Sequence, residues 1–189
     1  MLGLVATAVC CICTMPAPLT AQRPLPNGVV REGVLSFDGH ANVGDFTGIT
    51  STVTGEMTGG ADLTAVRGWV EAPVQTLKTG KDRRDSDLNK SMESDKYPNL
   101  RFELTGVIPG ADSADSTAVT LLGRLLIHGV TREVSLPATV IFGPGQVRLR
   151  TDFPLNLKDY QIGGLSKMLG ILKMYPDIVV HVDLTFRSE

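Results

Sequence analysis

Apolar and polar residues alternate with a period of two along much of the chain, the pattern of strands that bury one face and expose the other. The run from Leu121 to Val140, LLGRLLIHGVTREVSLPATV, carries it most openly. Leu121, Gly123, Leu125 and Ile127 share one face, and Leu122, Arg124, Leu126 and His128 share the other. A turn at His128-Gly129-Val130-Thr131, where glycine permits a tight bend, carries the first face on into Val134, Leu136 and Ala138. Comparable runs predict strands over 34–37, 51–57, 65–74, 100–107, 118–128, 132–142, 146–153 and 178–186. Hairpin signals separate them at Gly59-Gly60, at an exposed acidic loop over 109–117 and at Gly143-Pro144-Gly145. About eight short antiparallel strands point to an up-and-down barrel or a sandwich.

Two interruptions follow a helical period. In TGKDRRDSDLNKSMESDKYPNLRF, Thr79 to Phe102, Asp82 is placed to cap a short helix whose first turn also holds Asp85, with Leu88 and Met92 as its apolar edge. Pro98 then drives Tyr97 out of the helical region, and the chain leaves extended through Leu100, Phe102 and Leu104. The second, GGLSKMLGILKMY over 163–175, puts Leu165, Met168, Leu169 and Leu172 on one helical face. It reads as a plug for one barrel end, or as a mobile lid or transient contact with a membrane surface.

Thr79, Arg84-Asp85, Leu88, Lys96-Tyr97-Pro98 and Phe102, followed by Gly123-x-Leu125 and Gly129-Val130-Thr131, resemble the YceI-like family of periplasmic, lipocalin-like proteins. The likeness runs from Val34 to Phe186. Asp87 stands where the family commonly has a histidine, and Phe37, His40, Gly44 and Phe46 are more closely spaced than in the family's first strands. The resemblance implies an all-β, eight-stranded antiparallel barrel with two short helices, and a long isoprenoid, a polyprenol or an isoprenoid quinone tail, held inside it.

Composition narrows the remaining choices. The first 21 residues are uncharged, apolar and end in small residues, as a signal peptide does, so residues 22–33 become a linker, 34–189 the barrel domain, and the expected location periplasmic or secreted. Cys10, Cys11 and Cys13 all fall in that leader, which leaves the mature chain without thiol or disulfide. A formal net charge of −2 with scattered basic residues excludes a nucleic-acid stripe. Arg148 and Arg150 alternate with Val147 and Leu149 as a solvent face would.

Reactive chemistry is sparse. His40, His128 and His181 are the only histidines, the last two reading as surface or strand residues, and no zinc, phosphate-loop or nucleophile-elbow motif occurs. Neither a catalytic residue, a metal nor a cofactor is expected. The one local cluster is Asp38, His40 and Asp45, a cation or acid–base site if it is not simply solvated. The barrel interior remains: Phe37, Val70, Leu100, Phe102, Leu104, Leu125, Ile127, Val134, Leu136 and Phe153 share inward parities, and with Leu88 and Met92 they are the candidate ligand contacts. Small partners Gly68, Ala72, Gly106 and Gly123 leave room among them, unless they only ease curvature. A lipid carrier or sequestering protein, an enzyme or redox accessory acting on a lipid or quinone, and a solid-cored adhesion or stress module all fit; in the first, Asp38, His40 or Lys158 would steer a head group.

Overall fold

Burial follows the predicted alternation most closely in the run that showed it most openly. In the strand Ser116–Ile127, Thr117, Val119, Leu121, Gly123, Leu125 and Ile127 are buried while their neighbours are not. The computed structural model describes residues 24–163, 166–167 and 172–188. Its elements are β1 (Gly28–Ala41), β2 (Gly44–Thr50), β3 (Thr54–Thr58), β4 (Arg67–Pro73), α1 (Asp82–Ser91), β5 (Asn99–Asp112), β6 (Ser116–Ile127), β7 (Val130–Gly143), β8 (Gln146–Asn156), β9 (Ser166–Lys167) and β10 (Leu172–Arg187). Strands β1, β3, β4, β5, β6, β7, β8 and β10 pair antiparallel in that order, and β10 returns to β1. Eight strands therefore close a barrel, with β2 added on β1 and β9 on β10.

Closure depends on the length of β1. Its start, Gly28 and Val29, pairs with β3, while Val29 through Ala41 pairs with β10. The expected linker before residue 34 is thus partly wall, and Leu25 ahead of it is buried and bridged to Gly60. β2 was not among the predicted strands, because GDFTGIT has only two large apolar residues and two glycines. β5 runs on through Pro109 to Asp112, carried by two register shifts. The β6–β7 turn contains only His128 and Gly129, with φ of 51° and 74°, the left-handed pair that a two-residue hairpin requires.

The helical reading of 163–175 does not hold where it is described. Ser166–Lys167 and Leu172–Tyr175 are extended, with Leu172 opposite Lys167 and Lys173 opposite Ser166. Leu165, Met168 and Leu169 lie outside the described residues, as does the leader over 1–21.

The barrel is packed at one end and open at the other. Leu25, Met57, Val66, Val107, Val119, Val140, Val147 and Phe186 are buried around the end where β1 begins and β10 finishes. None of these eight touches the interior space described below.

Candidate functional site

Phenylalanines packed on glycines shape the open half. Gly39 faces Phe46 and Gly48 faces Phe37 directly across the β1–β2 ladder. A Cβ at Gly48 would lie 2.2 Å from the Phe37 ring, and one at Gly39 would lie 2.8 Å from the Phe46 ring. Phe102 reaches diagonally to Gly123, where a Cβ would lie 2.4 Å from its ring. Such glycines do not leave empty space; they admit an aromatic ring that would otherwise project inward.

Between these rings and the facing strands lies a cavity of about 490 Å³, within the size range of pockets that enclose small-molecule ligands. Leu149, Thr151, Phe153 and Leu155 of β8 and Met174, Ile178, Val180, Val182 and Leu184 of β10 line it along their length. From Met174 to Leu184 the wall extends roughly 33 Å of strand, at about 3.3 Å per residue. Thr151 is buried, but its hydroxyl donates to the Pro137 carbonyl at 2.7 Å and is already satisfied. The deep part of the cavity offers a ligand only hydrocarbon.

The mouth lies where β1 meets β2 and β10 begins, and α1 covers its flank. Asp85, 8% exposed, fixes α1 by accepting from the Thr79 amide at 2.8 Å and the Thr79 hydroxyl at 2.5 Å. Those bonds, the hydroxyl's above all, hold the Asp85 carboxyl below its ordinary pKa of 3.8. Arg84 donates to the Thr79 carbonyl at 2.7 Å and stacks 4.4 Å above the centre of the Phe46 ring. Lys81, rather than Asp82, occupies the helix N-cap, and no side chain caps it. Asp82 is the first helical residue, and it is Asp85 that holds the preceding loop through Thr79.

Ten of the twelve residues selected from the sequence line this cavity: Phe37, Val70, Leu88, Met92, Leu100, Phe102, Leu125, Ile127, Leu136 and Phe153. Leu104 and Val134 do not, although both pack half-buried against the core. They flank Gly123 in one row of the sheet, and the Phe102 ring over Gly123 takes that row's place at the cavity. Ala72 lines the cavity as the small-residue reading expected, whereas Gly68, Gly106 and Gly123 do not. Two groups stand out among the unforeseen contacts. Leu35, Leu149, Leu155, Ile178, Val180, Val182 and Leu184 follow strand parity and were open to the same reasoning; Val43, Phe46, Lys81, Arg83 and Arg84 sit at the mouth because of tertiary packing.

The expected Asp38, His40 and Asp45 cluster is divided, and it lies away from the cavity. His40 meets Asp45 at 2.5 Å, while Asp38 accepts from Thr47 and approaches His181 Nε2 at 3.1 Å. His181 Nδ1 contacts Asp152 at 2.5 Å, so three strands are tied across the outer wall. Asp152 foremost, with Asp38, raises the His181 pKa above 6.5, and Thr47 foremost, with His181, lowers that of Asp38 below 3.8. None of Asp38, His40 and Lys158 lines the cavity, so the head-group role expected for them has no geometric basis. No cluster of three or more metal-ligating side chains occurs among the described residues.

His128 departs from its surface reading. It has the outward parity expected, yet its side chain is only 9% exposed, covered by Tyr97 at 4.8 Å between ring centroids and contacting the Tyr160 carbonyl at 3.1 Å. The lysine-tyrosine-proline exit from α1 is therefore a cover over the β6–β7 turn. Arg148 and Arg150 do lie on the solvent side, both reaching Asp183.

A closed antiparallel barrel with one packed end and one hollow, apolar end is a lipocalin-like architecture. The YceI-like domain family matches residues 31–186, and the chain belongs to that family. Among solved structures, a polyisoprenoid binding domain from Saccharophagus degradans, implicated in plant cell wall breakdown, shares 15% identity with a TM-score of 0.71, covering 87% of this chain and 99% of its own. BcnA of Burkholderia cenocepacia is 14% identical with a TM-score of 0.69, covering 81% of this chain and 95% of its own. The Campylobacter jejuni YCEI protein is 14% identical with a TM-score of 0.53, covering 65% of this chain and 72% of its own. No curated protein matches the chain.

Proposed function

We propose that this protein holds one long-chain isoprenoid, a polyprenol or the tail of an isoprenoid quinone, inside the barrel and so carries or sequesters it in the periplasm or outside the cell. The observation that carries the reading is the cavity wall itself: apolar below its charged mouth, with its one buried hydroxyl already bonded to Pro137. An apolar lining of this kind gains affinity through hydrocarbon, at roughly 0.8 kcal/mol per buried methylene, and discriminates by length and shape. The binding named for the Saccharophagus degradans domain supports the same choice of ligand. The uncharged leader supports export.

Titration with geraniol, farnesol and geranylgeraniol tests this reading. Each added isoprene unit is expected to raise affinity by about tenfold or more until the tail reaches the packed end, beyond which longer prenols gain nothing. Equal affinity across the series would overturn the proposal, because a tail outside the cavity has no floor to reach.

A further inference from the structure

The outer wall carries a set of charges that one protonation state satisfies. His181 projects outward from β10, with Asp152 of β8 at 2.5 Å from Nδ1 and Asp38 of β1 at 3.1 Å from Nε2. A neutral imidazole has a single N–H, so its other nitrogen would turn a lone pair on a carboxylate oxygen. The imidazolium donates from both nitrogens and meets a carboxylate with each. Asp38 is held for this contact by the Thr47 hydroxyl of β2, which donates to it at 2.6 Å. The charged neighbours are engaged elsewhere: His40 of β1 with Asp45 of β2 at 2.5 Å, and Arg150 of β8 with Asp183 of β10 at 3.0 Å. Ser36, opposite His181 in the ladder, carries no charge.

Strands β1 and β10 are the pair that closes the barrel. Two ion pairs cross that seam among the described residues: Arg187 with Glu32 at 2.9 Å toward the packed end, and His181 with Asp38 in the open half. Arginine stays charged in proteins, whereas an imidazole gains and loses its proton near neutrality. On the inner side of the same wall, Phe37 precedes Asp38, Thr151 and Phe153 flank Asp152, and Val180 and Val182 flank His181; all five line the cavity.

We infer that His181 is a proton-operated clasp on the closing seam: protonated, it holds β1 and β8 to β10 behind the cavity, and deprotonated, it loosens the open half and speeds exchange of the lipid. This inference rests on the lipid reading above and adds its regulation. Asp152 foremost, with Asp38, raises the His181 pKa above 6.5, so the clasp's contribution is complete below 6.5 and is lost as pH rises through the raised value. Asp38, lowered below 3.8 by Thr47 foremost, gives way only as pH falls through its own depressed pKa. The clasp therefore holds in mild acid and opens as the medium turns alkaline.

Amide exchange in the lipid-free full chain, read as protection of β1 and β10 at pH 5.5 and pH 8.5, tests the clasp without any ligand. Protection around Asp38 and His181 is expected to fall about threefold or more at the higher pH, a modest change because both pairs are partly exposed. Release of bound geranylgeraniol is expected to quicken by a similar factor. His181→Gln is expected to show the faster exchange and release at both pH values; His40 and His128 remain in both chains, so the difference between them isolates His181. Asp152→Asn, which keeps the histidine, is expected to move the change to lower pH. An identical pH response of the seam in parent and His181→Gln would overturn the inference, as would lipid release that ignores pH while the seam responds. A chain that binds no geranylgeraniol would overturn the lipid reading and leave amide exchange to decide the clasp.

Discussion

Replacing Leu125 and Val180 together by phenylalanine is expected to lower lipid affinity by at least about 100-fold while leaving the barrel folded. Both side chains face the cavity, from β6 and β10, strands separated by β7 and β8 around the barrel. In a close-packed core such enlargement costs about 1–3 kcal/mol of strain. Here the added ring atoms enter empty space, and that cost is largely offset by new contacts. A tail excluded from the interior loses roughly 0.8 kcal/mol for every methylene that no longer leaves water, so even three displaced methylenes approach a 100-fold effect. Binding of geranylgeraniol measured beside thermal unfolding checks both halves of the expectation. A variant that melts like the parent and binds as well would contradict placement of the lipid inside the barrel.

The second large effect falls on stability. Asp85→Ala is expected to cost about 2–4 kcal/mol, because it removes two charge-assisted bonds to Thr79 and leaves a buried amide and hydroxyl unpaired. For a domain of this size that corresponds to a fall of roughly 5–15 °C in melting temperature. The effect depends on pH with a definite sign. Folding lowers the Asp85 pKa below 3.8, so the carboxylate's contribution is fully present above that value and is lost as pH falls through the depressed folded-state pKa. The gap between parent and Asp85→Ala is therefore widest near neutrality and narrows in acid. Melting curves at pH 7 and pH 3 measure it; a gap that stays constant across that range would show that the ionised carboxylate is not what fixes α1.

The legible parts of the fold were those governed by parity. Once Leu121, Leu125 and Ile127 share a face, a closed sheet carries Leu136, Phe153 and Ile178, Val180, Val182 and Leu184 of β10 onto the same interior surface. The mouth was not legible in that way. Phe46, Arg84 and Lys173 belong to three elements distant in sequence, and only closure of β1 on β10, with α1 laid against them, brings them together. Asp85 shows the same limit at short range. A carboxylate in the first turn reads as compensation for the helix dipole, yet its bonds go back to Thr79, ahead of the helix. The glycines misled for a related reason: spacing exposes the absence of a side chain at Gly123, but not that the Phe102 ring fills it. His128 keeps its outward parity and is nevertheless covered, since parity describes one sheet and not what packs outside it.

The central claim is that the hollow end of the barrel holds a lipid, and mass spectrometry of solvent extracts from the protein, purified without detergent from a bacterial periplasm, tests it most directly. One isoprenoid per chain in the parent, and none in the folded Leu125→Phe, Val180→Phe variant, is the result expected. A parent chain that yields no lipid, and takes up none when offered polyprenols, prenyl phosphates and quinones, would contradict it.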